Sequence, residues 1–141
     1  MKNLFPKLAI LACIALLFTS CDPTVEFHRV INNDSGYDLI LYPNDSIGYT
    51  FVGDRLPDSL YIPNNSFESL YTYIERGGIS YYTDCPNDFD SIRFVVDGNP
   101  NLSVTLDPMT SSNWSFNLIE ESKYGGGECE CVLYIEPQHI N

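Results

Sequence analysis

The residues with most chemistry to offer in this 141-residue chain are three of its five cysteines, Cys85, Cys129 and Cys131. In an oxidising compartment the natural outcome is a disulfide joining Cys85, in an irregular stretch, to one cysteine of the segment near the C-terminus. Such a bridge closes a loop of about forty residues and stabilises by about 3–4 kcal/mol in the chain-entropy picture. Cys129 and Cys131 do not bridge each other within a regular strand, because residues two apart on one face lie ~7 Å apart between Cα atoms. The alternative is a metal site of all three thiolates with Glu128 or a histidine as fourth ligand. C-x-C without a second close ligand pair is a weak zinc pattern, so a bridge plus one buried thiol is the better reading.

Asp84, Asn87, Asp88 and Asp90 gather the oxygen ligands that calcium prefers within seven residues. They lack the spacing, turn glycine and closing glutamate of a calcium loop, and Asp and Asn in a turn usually bond their own backbone. For acid–base catalysis only His28 and His139 carry imidazoles. His28 falls in mid-strand, His139 falls near the C-terminus, and neither a G-x-S-x-G elbow nor an H-E-x-x-H motif is present. The expectation is therefore no enzyme, no cofactor and no metal. Tyr81 and Tyr82, with Tyr71, Tyr73 and Trp114, could line an aromatic platform for a glycan or protein partner. Tyr71, Tyr73 and Trp114 are at strand spacing and read better as core, which leaves Tyr81 and Tyr82 as the possible partner-binding loop.

The elements that must position these residues are strands. Ten tyrosines, with many Val, Ile and Thr, suit a pleated surface, and the nine Pro and nine Gly fall mainly between apolar runs. Val25, Phe27, Arg29 and Ile31 alternate with polar neighbours up to the turn cluster 32–36, and Tyr37, Leu39 and Leu41 share a face of the next run, which predicts a first hairpin. A short strand follows at 49–52. Segments 59–62 and 67–74 flank Pro63-Asn64-Asn65-Ser66 as a second hairpin, with Phe67, Ser69, Tyr71 and Tyr73 on one face. Segments 91–96 and 102–106 enclose Asp97-Gly98-Asn99-Pro100 as a third. Residues 114–119 read as a strand, or as a short helix capped near Asn117. Gly125-Gly126-Gly127 reads as a flexible joint before a last strand, 128–136, whose inward face is Cys129, Cys131, Leu133 and Ile135. About eight short strands without a helical apolar stripe predict an all-β fold, an antiparallel β-sandwich of immunoglobulin-like or similar type.

The N-terminus is of a different kind. Lys2 and Lys7 precede an apolar run of eleven residues, Leu8 to Phe18, closed by Thr19, Ser20 and Cys21. A membrane-crossing helix needs ~20 apolar residues, so the run reads as a secretory signal. Its end resembles the lipobox of a bacterial lipoprotein signal peptide, with Phe18 where Leu is common. The resemblance implies removal of residues 1–20, lipid on Cys21, a short tether at 21–24 and one β domain at 25–141. Cys13 leaves with the signal, and Lys2 and Lys7 leave five of the seven basic residues against nineteen acidic ones, a net charge of −14. So acidic a surface, without a Lys/Arg cluster, excludes nucleic acid as partner.

Signal, tether and Tyr- and Asp-rich β domain together resemble small cell-envelope lipoproteins of the Bacteroidota. That resemblance implies a protein lipid-anchored in the envelope, at the outer membrane, on its periplasmic or surface face. The functional expectation is a non-catalytic binding or assembly module for a protein or glycan partner. The alternatives are a passive structural component of the envelope and a small hydrolase.

Overall fold

The computed structural model describes residues 23–43, 58–79, 82–85 and 92–141. Among them are seven strands: β1 (Thr24–Asn33), β2 (Leu39–Pro43), β3 (Leu60–Ile62), β4 (Ser66–Arg76), β5 (Ile92–Val96), β6 (Trp114–Glu121) and β7 (Gly127–Ile135). They form a four-stranded sheet in the order β4-β1-β7-β6 and a three-stranded sheet in the order β3-β2-β5. The architecture is the expected all-β sandwich. Every pairing is antiparallel except one, the parallel pairing of β1 with β7, which sets the first strand beside the last. The expected strand at 49–52 lies outside the described residues.

Alternation explains the long sheet. Val25, Phe27, Arg29 and Ile31 of β1 and Cys129, Cys131, Leu133 and Ile135 of β7 are all buried and match in register. A shift between Arg29 and Val30 in the pairing with β4 inserts Leu70 as an extra inward residue. Tyr71 and Tyr73 consequently face inward opposite Arg29 and Phe27, while Phe67 and Ser69 pair with the outward Asn32 and Val30. The four aromatic and serine positions of β4 do not share a face, because the bulge adds one residue to a period of two.

The strands of the smaller sheet are at most five residues long, half of β1, so that sheet covers only part of the larger one. Between the two lies the main core of Ile31, Leu39, Leu41, Ile62, Leu70, Val96, Trp114, Leu133 and Ile135. The remaining part of the large sheet is roofed by the segment after β4, where Ile79 joins Val25, Phe27 and Cys129, and Tyr82 packs beside them. Residues 114–121 are a strand, not a helix: Trp114 packs inward opposite Leu133, its indole N–H donating to Pro108 O at 2.8 Å.

None of the three expected hairpins forms. β1 and β2 lie in different sheets, as do β3 and β4, so each connection crosses between layers. Asn33 supplies the reason. Its side chain is fully buried, and Nδ2 donates to Tyr37 O (2.9 Å), Ile62 O (3.1 Å) and Pro63 O (3.0 Å). Its Oδ1 accepts from Ser35 N (3.2 Å) and Ser35 Oγ (2.7 Å). One amide thus satisfies carbonyls of both crossings. Asp38 and Asn64 complete the join, Asn64 N donating to Asp38 Oδ1 and Gly36 N to Asn64 Oδ1, each at 2.8 Å. The turn at Asp97-Gly98 does form, but β5 pairs with β2 and the 102–106 segment turns to the C-terminus, bridging Val104 to Ile140. Among the described residues β6 and β7 form a tight hairpin, and its glycines are a turn instead of a flexible joint. Gly125 has φ +87°, and a Cβ on Gly126 would stand 2.5 Å from Thr24 O.

Asn33→Asp keeps the shape but turns three donations into repulsion between a buried carboxylate and three carbonyls. It is expected to cost at least about 3 kcal/mol in urea unfolding, whereas Asn32→Asp, on the outward face, shifts the midpoint by little.

Candidate functional site

The inward face of the small sheet is apolar, with Leu39 opposite Ile62 and Val96, and Leu41 opposite Leu60 and Phe94. By the same period, Ile40 points outward between Tyr61 and Val95, and Tyr42 points outward opposite Arg93. Tyr61 is 51% exposed and Tyr42 36%. At an interstrand spacing of about 4.8 Å, the row Tyr61, Ile40, Val95 makes an apolar strip about 10 Å across. Tyr42 extends it along the strands, with the Arg93 guanidinium 5.0 Å from its ring centroid.

The aromatic rings on this face are held in place. The Tyr61 hydroxyl donates to Asp38 Oδ2 at 2.6 Å, while Asp38 Oδ1 accepts from Asn64 N. These two bonds, that from Tyr61 first, hold the Asp38 carboxyl below its ordinary pKa, and the same bond raises that of the Tyr61 phenol. The carboxylate that orients Tyr61 is thus also part of the join between the sheets. A flat strip of two aromatic rings and two aliphatic side chains, with a carboxylate and a guanidinium at its margin, covers an apolar face of a ligand and bonds its polar edge.

The residues singled out from sequence are distributed differently. Cys85 and Cys131 form the disulfide, with Cα atoms 5.8 Å apart, inside the main core. Two of the three sulfurs of the alternative metal site are thereby joined to each other. Cys129 is the leftover thiol, fully buried, and burial, with a smaller contribution from the Glu128 carboxylate, pushes its pKa up to about 11. Cys21, Tyr81, Asn87, Asp88 and Asp90 lie outside the described residues. Asp84 Oδ1 accepts from Cys85 N at 2.8 Å, a local turn bond. Among the described residues no group of His, Cys, Asp or Glu is arranged to hold a metal ion.

Of the proposed aromatic platform, Trp114 is buried with the Arg29 guanidinium 4.7 Å from its ring centroid, and Tyr73 stacks on Phe27 at 5.0 Å. Tyr82 meets Phe27 edge-on at 4.6 Å, so it belongs to the roof of the core and not to an open loop surface. Burial, then a bond to Glu75, raises its phenol pKa. Tyr42 and Tyr61, outward on the small sheet, were not among the residues singled out from sequence. Their signal was present in the alternation of Ile40 and Tyr42 against Leu39 and Leu41, but Tyr61 sits in a three-residue strand with no period to read.

His28 lies on the outward face of the large sheet. Thr72 Oγ1 is 2.9 Å from its Nδ1, and Glu128 Oε1 is 2.8 Å from its Nε2. Hydroxyl, imidazole and carboxylate stand in a row, as in a nucleophilic relay, but as cross-strand neighbours on β4, β1 and β7. His139 accepts the Glu136 N–H at Nδ1 (3.0 Å), and its carbonyl binds Thr105, which ties down the C-terminus.

Three outcomes follow from this geometry. Reducing the Cys85–Cys131 bridge, which spans 46 residues, is expected to lower unfolding stability by about 4 kcal/mol. Cys129 contributes stability that is complete below the pKa of an unfolded thiol and is lost as pH rises through its folded value near 11, so alkylation of the native protein should stay slow at pH 8 and accelerate above that value. Tyr61→Phe should raise the Asp38 pKa toward that of an ordinary carboxyl, read by NMR titration, with the fold intact. Comparison of the chain with protein-family models, curated proteins and solved structures finds no match, so the reading of this face rests on its own geometry.

Proposed function

We propose that this chain is a lipid-anchored cell-envelope lipoprotein whose β-sandwich is a non-catalytic binding or assembly module. The observation that carries the binding role is the outward face of the small sheet, where Tyr61 and Tyr42 stand exposed, flanked by Ile40 and Val95 and oriented by Asp38 and Arg93. Singly exposed aromatics are ordinary, but a contiguous strip with oriented rings is what an aromatic-rich contact surface requires. The anchor is supported by Lys2, Lys7, the apolar run and the Thr19-Ser20-Cys21 ending. A net charge of −14 after removal of residues 1–20 disfavours polyanions, so the partner is a neutral glycan or a neutral or basic protein surface.

A passive structural role predicts no saturable partner, and retention separates the two. Protein recovered from the membrane fraction should bind saturably to an immobilised neutral envelope glycan or to an envelope protein bait. Tyr61→Ala combined with Tyr42→Ala should weaken that retention by roughly tenfold or more, since buried aromatic anchors carry much of such contacts. Retention unchanged by both substitutions would sink the assignment of this face. The Thr72, His28 and Glu128 row favours a hydrolase as second reading. It requires a pH-dependent turnover that disappears in His28→Ala, with retention at the tyrosine face unaffected.

A further inference from the structure

The end of the sandwich where the chain enters is built from three segments. Gly77 N donates to Pro23 O at 2.8 Å, Ile79 N donates to Gly125 O at 2.7 Å, and Gly126 lies so close to Thr24 that a Cβ there would meet Thr24 O. The β6–β7 turn, closed by Ser122 N to Gly126 O at 2.8 Å, is therefore fixed beside the first residue of β1. At its tip stands Tyr124, 78% exposed, with Lys123 Nζ 4.7 Å from its ring centroid. Behind it on the flanks of the same sheet are the exposed Ile119 of β6 and Ile74 of β4. Tyr124 is the most exposed large aromatic among the described residues.

We infer that this end is a membrane-contacting surface, with Tyr124 as the side chain that enters the headgroup region of the bilayer. The inference rests on the anchored reading above and adds an orientation to it. Three Cα–Cα steps lead from Cys21 to Thr24, and an extended chain spans at most about 3.5 Å per residue, so a lipid on Cys21 holds Thr24 within about 11 Å of its attachment point. The turn fixed against Thr24 is then within reach of the interfacial layer, which adds about 5–7 Å to each side of the hydrocarbon. Tyrosine suits that layer, its ring in the acyl boundary and its hydroxyl in water. Glu75 and Glu121 offset Arg76 and Lys123 at this end, so anionic headgroups give no attraction and the surface fits zwitterionic lipid. The same orientation carries β7 upward from the bilayer toward Tyr134, near the opposite end of the strand.

The test uses the full chain recovered with its lipid and reconstituted into zwitterionic vesicles whose acyl chains carry bromine. The native protein has one tryptophan, Trp114, buried and paired with Leu133 near the far end, which sets the background. Tyr124→Trp should add emission that brominated vesicles quench by roughly half or more, and Tyr134→Trp should add emission that they leave unquenched. Equal quenching at the two positions, or none at position 124 in protein that floats with the vesicles, overturns the orientation and leaves the anchor standing. Failure of the chain to float with the vesicles overturns both.

Discussion

The arrangement of the two sheets depends on one buried amide. Asn33 ends β1, and from that position its Nδ2 reaches carbonyls at Tyr37, Ile62 and Pro63 while its Oδ1 holds Ser35. Backbone crossing from one layer to another leaves polar groups without ladder partners, and in a dry interior those groups must be satisfied or the crossing is too costly. Asn is suited to this because it donates and accepts at once, where Asp would only accept and Leu would do neither. With both crossings fixed at one point, the start of β2 lies beside the end of β3, and the outward register of Ile40 and Tyr61 is set from there.

The same join reaches the proposed contact face. Asp38 takes Asn64 N with one oxygen and the Tyr61 hydroxyl with the other. Orientation of the tyrosine and closure of the crossings are thus two uses of a single carboxylate, and a pre-oriented ring loses less freedom when a partner covers it. Inside the main core the disulfide has the comparable role. It ties Cys85, after the segment that roofs the large sheet, to the centre of β7, and Cys129 two residues earlier remains a sealed thiol under that roof.

Much of this was legible in the sequence, and what was not has identifiable causes. Side-chain period gave the inward faces of β1 and β7 correctly, down to Arg29 among Val25, Phe27 and Ile31, because both strands are regular where they pair with each other. The disulfide was legible up to the choice between Cys129 and Cys131, which share a face and differ only in depth along the strand. The hairpins were not legible. Asn-Asn-Asp-Ser-Gly and Pro-Asn-Asn-Ser are good turn formers, but a turn that reverses the chain within a sheet and one that carries it between sheets use the same residues. Only the tertiary partners of Asn33 distinguish them. The face of β4 was misread for a related reason, since a one-residue bulge leaves no mark in local composition. The proposed contact face was missed because exposure of Tyr61 and Tyr42 depends on which strands flank β2, and neither flanking strand follows from β2 itself.

The central claim is that a disulfide-closed, partner-binding β domain is held at the membrane by a lipid on its own N-terminal cysteine. Intact mass of the protein from the membrane fraction, alkylated before and after unfolding without reduction, tests it most directly. The account predicts a chain lacking residues 1–20, carrying a lipid adduct, with no thiol alkylated in the native state and one, Cys129, alkylated after unfolding. A chain that retains its first twenty residues, carries no lipid and exposes three or more alkylatable thiols would contradict it.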